Sequence, residues 1–271
     1  VVTVKNGIAN LSKLKVGLCD GTATLNGKYS TEDIEKPSID MTIDLANVDI
    51  NKLANSFSTI DSLLPIAKSA QGLINLSLDV TADLDQEMSP ILSTLNGKGS
   101  FKSNDVALKG SSFQQKLSTV LANNKYNEMS IKNCKISFTI EEGSIIVTPF
   151  TFDLFKKTAT FSGWQGLDAT LNYLLTIPVE RTELASLISK AGISSNGWSQ
   201  GADIPLGINI SGSLTSPSLS PNLDEAKSAI IGEVKSQVEE KAKEVVTEAA
   251  AKVTEKAAEK AASALKNLFK K

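Results

Sequence analysis

The chain has 271 residues, of which 28 are Lys or Arg and 30 are Asp or Glu, so its formal net charge is −2. A nearly neutral chain of this kind does not have the excess of positive charge by which most proteins bind nucleic acid. Its length suffices for a sizeable core. Histidine is absent, which removes the usual general base and the commonest metal ligand, and no apolar run approaches the ~20 residues of a membrane-spanning helix.

The first 47 residues have the pattern of consecutive short strands. Val1–Val4 already reads as a strand, and Asn6-Gly7, Asp20-Gly21 and Asn26-Gly27 mark hairpin turns, because their residues tolerate the positive φ that such turns need. No initiator Met precedes this strand. We therefore expect the chain to be a piece of a longer protein, with any membrane anchor upstream.

Two segments of this region alternate apolar and polar residues, which predicts strands with one apolar face. The apolar positions are Leu14, Val16 and Leu18 in one segment and Ile39, Met41, Ile43 and Leu45 in the other. A helical stretch follows Asp49 and extends to Ala70, with Asn55 or Ser56 as a candidate cap and a break at Pro65. Residues 72–83 then return to the strand pattern.

The middle of the chain repeats this alternation of strands and short helices. The sequence predicts a turn or short helix at Pro90–Leu95, a strand at Gly97–Leu108, a helix at Ser112–Leu121 and a strand at Lys125–Ile140. The helix carries a single apolar stripe, made of Phe113, Leu117, Val120 and Leu121. Such a stripe favours docking onto the face of a sheet.

Residues 141–181 predict a three-stranded antiparallel meander followed by a helix at Glu180–Ala191. The apolar residues of one face are Phe150, Phe152 and Leu154, and in the last strand Leu171, Tyr173 and Leu175. A Ser/Gly-rich loop follows at Gly192–Gly201, where Trp198 is either an aromatic plug at the end of the sheet or a ligand or membrane contact. Asp203–Leu214 supplies a further strand.

The meander occurs twice in the chain. Thr22-Ala23-Thr24-Leu25-Asn26-Gly27 aligns without a gap to Thr158-Ala159-Thr160-Phe161-Ser162-Gly163, an offset of 136 residues (163 − 27). Leu14, Val16 and Leu18 then fall opposite Phe150, Phe152 and Leu154, so the apolar face has the same parity in both copies. We expect two meander-plus-helix modules, residues 1–96 and 97–221, in one continuous sheet.

Residues 222–271 form a third region with a different composition. They are rich in Ala, Lys and Glu and predict a long helix with a narrow apolar seam. The larger residues of the seam are Ile231, Val234, Val238, Val245, Val253, Leu265 and Leu268. This helix is either a solvated extension or a segment that packs in a coiled coil or lies on a membrane or a partner.

No motif predicts catalysis, and no metal or cofactor is expected. Glu141-Glu142 precede a hairpin glycine, and Asp40, Asp44 and Asp49 have the spacing of a polar strand face and a helix cap rather than of a calcium loop. Cys19 and Cys134 stand without neighbouring ligands; Cys19 is interpreted as a small buried residue, and whether the two pair stays open.

These elements define an α+β fold that is mainly β: a curved antiparallel meander sheet with short covering helices and a long C-terminal helix. The predicted strands outnumber what a few short helices can cover. The sheet therefore either closes towards a barrel around a packed core or stays a groove whose apolar side accepts acyl chains. The residues alone do not choose between these two.

The order of elements between Leu45 and Asn222 resembles the C-terminal region of the AsmA-like family of Gram-negative envelope proteins. The segments that carry the resemblance are Leu95–Phe101, Phe113–Leu121, Phe161–Asp168, Leu171–Pro178 and Ile204–Leu219. The resemblance implies a periplasmic β-groove tethered to the inner membrane by an anchor upstream, which moves phospholipid towards the outer membrane or supports outer-membrane assembly. The C-terminal helix lies outside the resemblance.

We therefore expect a non-enzymatic protein that binds phospholipid or another acyl-chain lipid. The alternative is a structural adaptor that presents its C-terminal helix to an envelope protein. The expected groove-lining residues are Phe150, Phe152, Leu154, Leu171, Tyr173 and Leu175, with Leu14, Val16, Leu18, Ile39, Met41 and Ile43 as their counterparts in the first module. Their other interpretation is ordinary core, since buried strand faces usually are.

Overall fold

The computed structural model describes residues 1–190, 202–233, 235–236, 239–244 and 247. Trp198 and the predicted loop at 192–201 lie outside these residues. The chain divides into two compact units, residues 1–223 and residues 224–271. The described residues of the second unit are helical, and Ile231 is the one seam residue among them.

The first unit is built on antiparallel strands joined by short helices. The strands are β1 (Val2–Lys5), β2 (Ile8–Leu18), β3 (Gly21–Ser30), β4 (Ser38–Asp49), β5 (Ala70–Gln71), β6 (Leu73–Asp83), β7 (Asn96–Lys109), β8 (Glu128–Glu141), β9 (Ser144–Leu154), β10 (Lys157–Gly166), β11 (Thr170–Val179), β12 (Ile204–Ser213) and β13 (Pro217–Asn222). The α-helices are α1 (Ile50–Ser56), α2 (Ser58–Leu63), α3 (Ser112–Leu121) and α4 (Arg181–Lys190), and short 3-10 helices lie at Pro65–Ser69, Leu92–Thr94 and Asn124–Asn127.

All the strands belong to one antiparallel sheet. Their order is that of the chain, β1 to β4 and then β6 to β13, and the short β5 pairs with β7 beside β6. β1 and β13 are the two end strands and do not pair with each other, so the curved sheet stays open. The mainly β fold class predicted from the sequence is confirmed, and the sheet does not close into a barrel.

The hairpin that occurs twice in the sequence has the same structure in both places. β2 and β9, like β3 and β10, have bounds that differ by the same 136 positions, and each hairpin carries its bulge at the equivalent point, Leu11–Leu14 and Val147–Phe150. A glycine faces each bulge, Gly27 at φ 148° and Gly163 at φ 129°. A Cβ on either one would lie 2.2 Å from a carbonyl oxygen of the neighbouring strand, so each bulge requires a glycine. The turn predicted at Asn26-Gly27 is wrong, because both residues lie inside β3.

The helical connections lie at one end of the strands, here called the helical end. α1 and α2 connect β4 to β5, α3 connects β7 to β8 and α4 connects β11 to β12. At the other end of the strands, the connections at residues 31–37, 84–95, 167–169 and 214–216 contain one short 3-10 helix and otherwise turns. Both modules therefore use helices at the same end of the sheet.

The predicted helix after Asp49 is three short pieces instead of one. The prediction of Asp49 as a helix cap is confirmed, because its side chain accepts a hydrogen bond from the backbone N–H of Lys52 at 2.8 Å; Asn55 and Ser56 lie inside α1 instead of capping a helix. Phe57 has extended backbone angles and separates α1 from α2, and Pro65 begins the 3-10 helix. Proline at the first helical position needs no N–H donor there, so it starts a helix more readily than it continues one.

The helix predicted at Ser112–Leu121 is confirmed with its bounds. Ser111 and Gln114 form a reciprocal capping box, and the buried Gln114 amide also donates to the backbone carbonyls of Leu108 and Asn127. Leu117 is completely buried. α3 thereby fastens the end of β7 to the start of β8.

The fully buried core lies at the helical end. Its largest side chains are Val48, Leu117, Tyr126, Leu154, Val179, Leu184, Ile204, Leu206 and Ile208. Lys125 forms an ion pair with Glu183 of α4, which also accepts from the amide of Asn123. Cys134 is buried, whereas Cys19 is only half-buried at a turn with φ 47°, and the two are unpaired. The interpretation of Cys19 as a buried residue is therefore wrong.

The first prediction concerns this core. Leu117→Ala should lower the free energy of unfolding by about 2–5 kcal/mol, because α3 cannot collapse into the space that the side chain leaves. Chemical denaturation monitored by circular dichroism measures the change. The control is Gln115→Ala, an exposed position of the same helix, which should stay within about 0.5 kcal/mol of the original chain. Equal losses of unfolding free energy in the two variants would contradict a core that contains Leu117 at the helical end.

Candidate functional site: an apolar cavity on one face of the sheet

One row of residues crosses the sheet from β2 to β13, and its one polar side-chain group is the Tyr173 hydroxyl. Its members, each paired in register with the next, are Leu14, Leu25, Ile43, Leu78, Gly99, Phe138, Val147, Gly163, Tyr173, Ile210 and Leu219. We call this set the apolar row. The adjacent register, on the opposite face, runs through Lys15, Thr24, Asp44, Ser77, Ser100 and Ser137. Alternation along each strand thus produces two faces of opposite polarity.

Most of the apolar row is only half-buried. Leu14 is 39% exposed, and Leu25, Ile43, Leu78, Phe138 and Val147 are intermediate, whereas Ile210 is 5% exposed. Monomeric proteins rarely leave a contiguous apolar surface of this kind without a function. The row is therefore a candidate binding surface.

A cavity of about 340 Å³ lies over the second half of the sheet. Strands β7 to β12 supply most of its wall, including Phe101, Ile136, Phe150 and Phe161. The rest of the wall includes residues 64–67, Phe113 of α3, Leu214 and Pro217. The volume is at the lower end of the ~300–1,000 Å³ that is usual for small-molecule sites.

Aromatic rings on three neighbouring strands form one side of the cavity. Phe150 lies 5.7 Å from both Phe152 and Phe161, and Phe161 lies 4.8 Å from Tyr173, measured between ring centroids. These tilted contacts hold the rings in fixed positions. Gly163 leaves the space that Tyr173 occupies, because a Cβ there would lie 2.9 Å from the tyrosine ring.

Two polar groups reach the otherwise apolar lining. Gln165 of β10 is 5% exposed and donates from Nε2 to the backbone carbonyl of Leu63, 2.9 Å away. The Tyr173 hydroxyl donates to Gln165 Oε1 at 3.3 Å, and burial raises the pKa of Tyr173 to about 12. The phenol is therefore neutral at physiological pH. None of the described residues that line the cavity is charged.

The contact between Gln165 and Leu63 also positions residues 57–66. Helix α2 in this segment contains no buried residue, and Phe57 and Leu64 are exposed. The hydrogen bond joins the segment to β10, three strands beyond β7. Lys116 of α3 likewise donates to the carbonyl of Pro217 in β13, at 2.6 Å. Elements from the first half of the chain thus reach over the second half of the sheet.

The structure separates the two sets of residues that the sequence predicted to line the groove. Phe150, Phe152, Leu171, Tyr173 and Leu175 all line the cavity. Leu154 is 1% exposed, belongs to the core at the helical end and does not line it. The first-module set lies outside the cavity: Leu14 and Val16 are exposed and Leu18, Ile39, Met41 and Ile43 are half-buried.

Sequence reasoning missed other residues of the cavity. Phe161 and Gln165 have the same parity along β10, so alternation could have placed both on the apolar face. Phe101 and Ile136 could have been found in the same way. The apolar stripe of α3 predicted docking onto a sheet face, but nothing in the sequence indicates which strands Phe113 and residues 64–67 would reach, because that depends on how α2 and α3 pack.

The acidic residues considered above lie on the polar face or in turns. Asp44 accepts a hydrogen bond from Ser77 at 2.7 Å, and Lys28 lies 3.9 Å from Asp40. Glu142 occupies a hairpin turn with φ 50°. Over the part of the chain that the structure describes, no cluster of three or more Cys, Asp or Glu could hold a metal ion, and no helix combines the length and apolarity needed to cross a membrane.

Comparison with known proteins found no matching family model, no matching curated protein and no matching solved structure. The resemblance to AsmA-like proteins therefore rests on the order of elements in the sequence. The candidate site is defined by its own geometry: an apolar cavity continuous with a half-exposed apolar row.

The second prediction uses the two thiols. Burial raises the pKa of Cys134 to about 11, so its thiol is protonated at neutral pH and should react slowly with iodoacetamide. Cys19, which is half-buried, should be alkylated faster in the folded protein, and both should react equally in denaturant. Mass spectrometry of tryptic peptides measures both rates. Equal rates in the folded protein would contradict the placement of Cys134 in the wall of the cavity.

Proposed function

We propose that this protein is a non-enzymatic lipid-binding protein that holds acyl chains against the apolar face of its sheet. The observation that carries the proposal is the cavity of about 340 Å³, whose lining is apolar apart from Gln165 and the Tyr173 hydroxyl. A site without charged side chains favours hydrocarbon over polar metabolites, because a polar group that enters it loses its hydration without gaining partners.

The apolar row supports the same proposal. It crosses eleven strands from β2 to β13, and at ~4.8 Å per strand it is ~50 Å long. Covering a large apolar side chain contributes about 1.5–3 kcal/mol when it was previously exposed to water. Hydrocarbon lying along the row would gain part of this contribution at each half-buried position, and it needs no specific partner at any one of them.

The cellular role is proposed from the resemblance. AsmA-like proteins act in the Gram-negative envelope, so we propose that this chain acts in the periplasm, tethered to the inner membrane, and transfers phospholipid towards the outer membrane. An open sheet suits transfer because an acyl chain can leave along the row without the sheet unfolding.

A structural adaptor is the second candidate function. The observation in its favour is the second unit, whose described residues are helical and include Ile231 at 67% exposure. An exposed helix with an apolar seam is a common way to bind a partner helix. The two functions differ in what removal of this unit does.

The third prediction tests the cavity. Phe161→Asp places a carboxylate among its aromatic rings and should remove most bound lipid, because the charge loses hydration when an acyl chain covers it. The matched control is Thr160→Asp, the preceding residue of the same strand, which is exposed on the opposite face and should retain lipid. Lipid per chain is measured by mass spectrometry after detergent-free purification.

Thermal unfolding of the two variants shows whether both are folded. If Phe161→Asp does not fold, Phe161→Ser enlarges the cavity without a charge and should lower the lipid content less. Equal lipid in Phe161→Asp and Thr160→Asp, with both variants folded, would contradict lipid binding at this face.

The fourth prediction separates the two functions. A chain shortened to residues 1–223 should keep its lipid, because the cavity and the apolar row belong to the first unit. Lipid extraction and pull-down from an envelope fraction are compared for the two lengths. Loss of captured protein with unchanged lipid would add the adaptor role to lipid binding, and a shortened chain that folds but carries no lipid would contradict the proposed function.

A further inference from the structure

Gln165 places a buried amide in a cavity that is otherwise lined by apolar side chains and the Tyr173 hydroxyl. It lies on the apolar face of β10, two residues from Gly163 of the apolar row, and is 5% exposed. Its neighbours in register, Ile145 of β9 and Leu171 of β11, are both apolar. An apolar residue would fit this pattern, so the amide requires an explanation beyond packing.

The contacts of Gln165 fix the orientation of its amide. The Leu63 carbonyl oxygen, 2.9 Å away, can only accept a hydrogen bond, so the NH₂ group must face it. Oε1 then faces the Tyr173 hydroxyl, which donates to it at 3.3 Å. With the amide in this orientation, one N–H is bound to Leu63 and the other is left over.

The second N–H of Gln165 has no partner among the side chains and backbone groups that the structure describes. Gln165 is among the residues that line the cavity, so this N–H lies beside the space that a ligand would occupy. The Tyr173 hydroxyl, whose proton is bound to Oε1, keeps its oxygen lone pairs. The apolar cavity thus offers one strong hydrogen-bond donor at a fixed place.

We propose that Gln165 binds the carbonyl oxygen of a neutral acyl ester, an inference that rests on the proposed lipid-binding function. The carbonyl oxygen of an ester is an acceptor without a donor of its own, which matches an unpaired N–H. A free carboxylate is disfavoured, since none of the described residues lining the cavity is a cation that could offset its loss of hydration. An alkane would leave the donor unpaired, so the site should distinguish an ester from a hydrocarbon of equal length.

Gln165 also links the bound ester to residues 63–67, which lie over the cavity. One N–H of Gln165 holds residue 63, and the other holds the ester, so the acyl chain lies between β10 and residues 64–67. The remaining polar part of the lipid has no charged partner in the cavity and stays outside it. This arrangement predicts that the cavity selects lipids by their ester linkage and not by their headgroup.

The experiment is a competition on the full-length chain between a long-chain fatty acid methyl ester and the n-alkane of equal length. Both probes are supplied together from a cyclodextrin carrier to protein stripped of lipid, and the molecules retained after gel filtration are counted by mass spectrometry. The original chain should retain more ester than alkane. Gln165→Met, which has similar volume and no amide, should lower the ratio of ester to alkane by about tenfold, the value of one hydrogen bond.

Two further variants are controls for the effect of Gln165→Met on the ratio of ester to alkane. Tyr173→Phe keeps the N–H of Gln165 but removes the hydroxyl that orients Oε1, so it should lower the ratio by a smaller factor. Gln115→Met, an exposed position on α3, should leave the ratio unchanged. Thermal unfolding of each variant establishes that it is folded.

Each outcome decides a different claim. An unchanged ratio in folded Gln165→Met, or equal loss of ester and alkane, would overturn the role of Gln165 and leave lipid binding intact, with a trapped water as the partner of the N–H. If the original chain retains neither probe, the proposed function itself fails, and the inference fails with it.

Discussion

The structure depends on one constraint: a single-layered sheet has two faces, and this chain makes one of them apolar across eleven strands, while its described residues cover only part of that face. The hydrophobic effect favours burial of the whole face. Helices α1, α3 and α4 achieve that at the helical end, where Leu117, Leu154 and Leu184 are almost inaccessible to water. Further along the strands the residues that the structure describes cover less of this face, and the same kind of side chain stays half-exposed.

This division assigns stability and binding to different parts of one sheet. The packed helical end fixes the positions of the strands, so the rest of the apolar face does not need its own packing to stay ordered. Between the two regions lies the cavity, bounded by β7 to β12 and by residues 64–67. Its aromatic rings are held by one another and by Gly163, and its one amide is held by Leu63 and Tyr173. An apolar ligand therefore meets a prepared surface and does not have to create one.

Much of this could be predicted from local patterns. Alternation assigned Phe150, Phe152 and Tyr173 to one face, and the stripe on residues 112–121 predicted α3 with its bounds, since both depend only on the period of strand or helix. The sequence left open whether the sheet closes, because closure depends on the tilt and curvature of many strands together. It also treated Leu14 and its counterpart Phe150 as equivalent. The structure distinguishes them, because residues 64–67 and α3 reach the second hairpin and not the first, and no local pattern encodes that choice.

The proposed function requires that the apolar face of the sheet binds hydrocarbon and is not simply part of the protein core. The most direct measurement is organic extraction of the protein purified from its native membrane-containing source without detergent, followed by mass spectrometry of the extract. If the face binds hydrocarbon, the extract should contain an acyl lipid in stoichiometric amount relative to the chain, and this lipid should stay with the folded chain through gel filtration. A folded, monomeric chain that yields no lipid would contradict the proposed function.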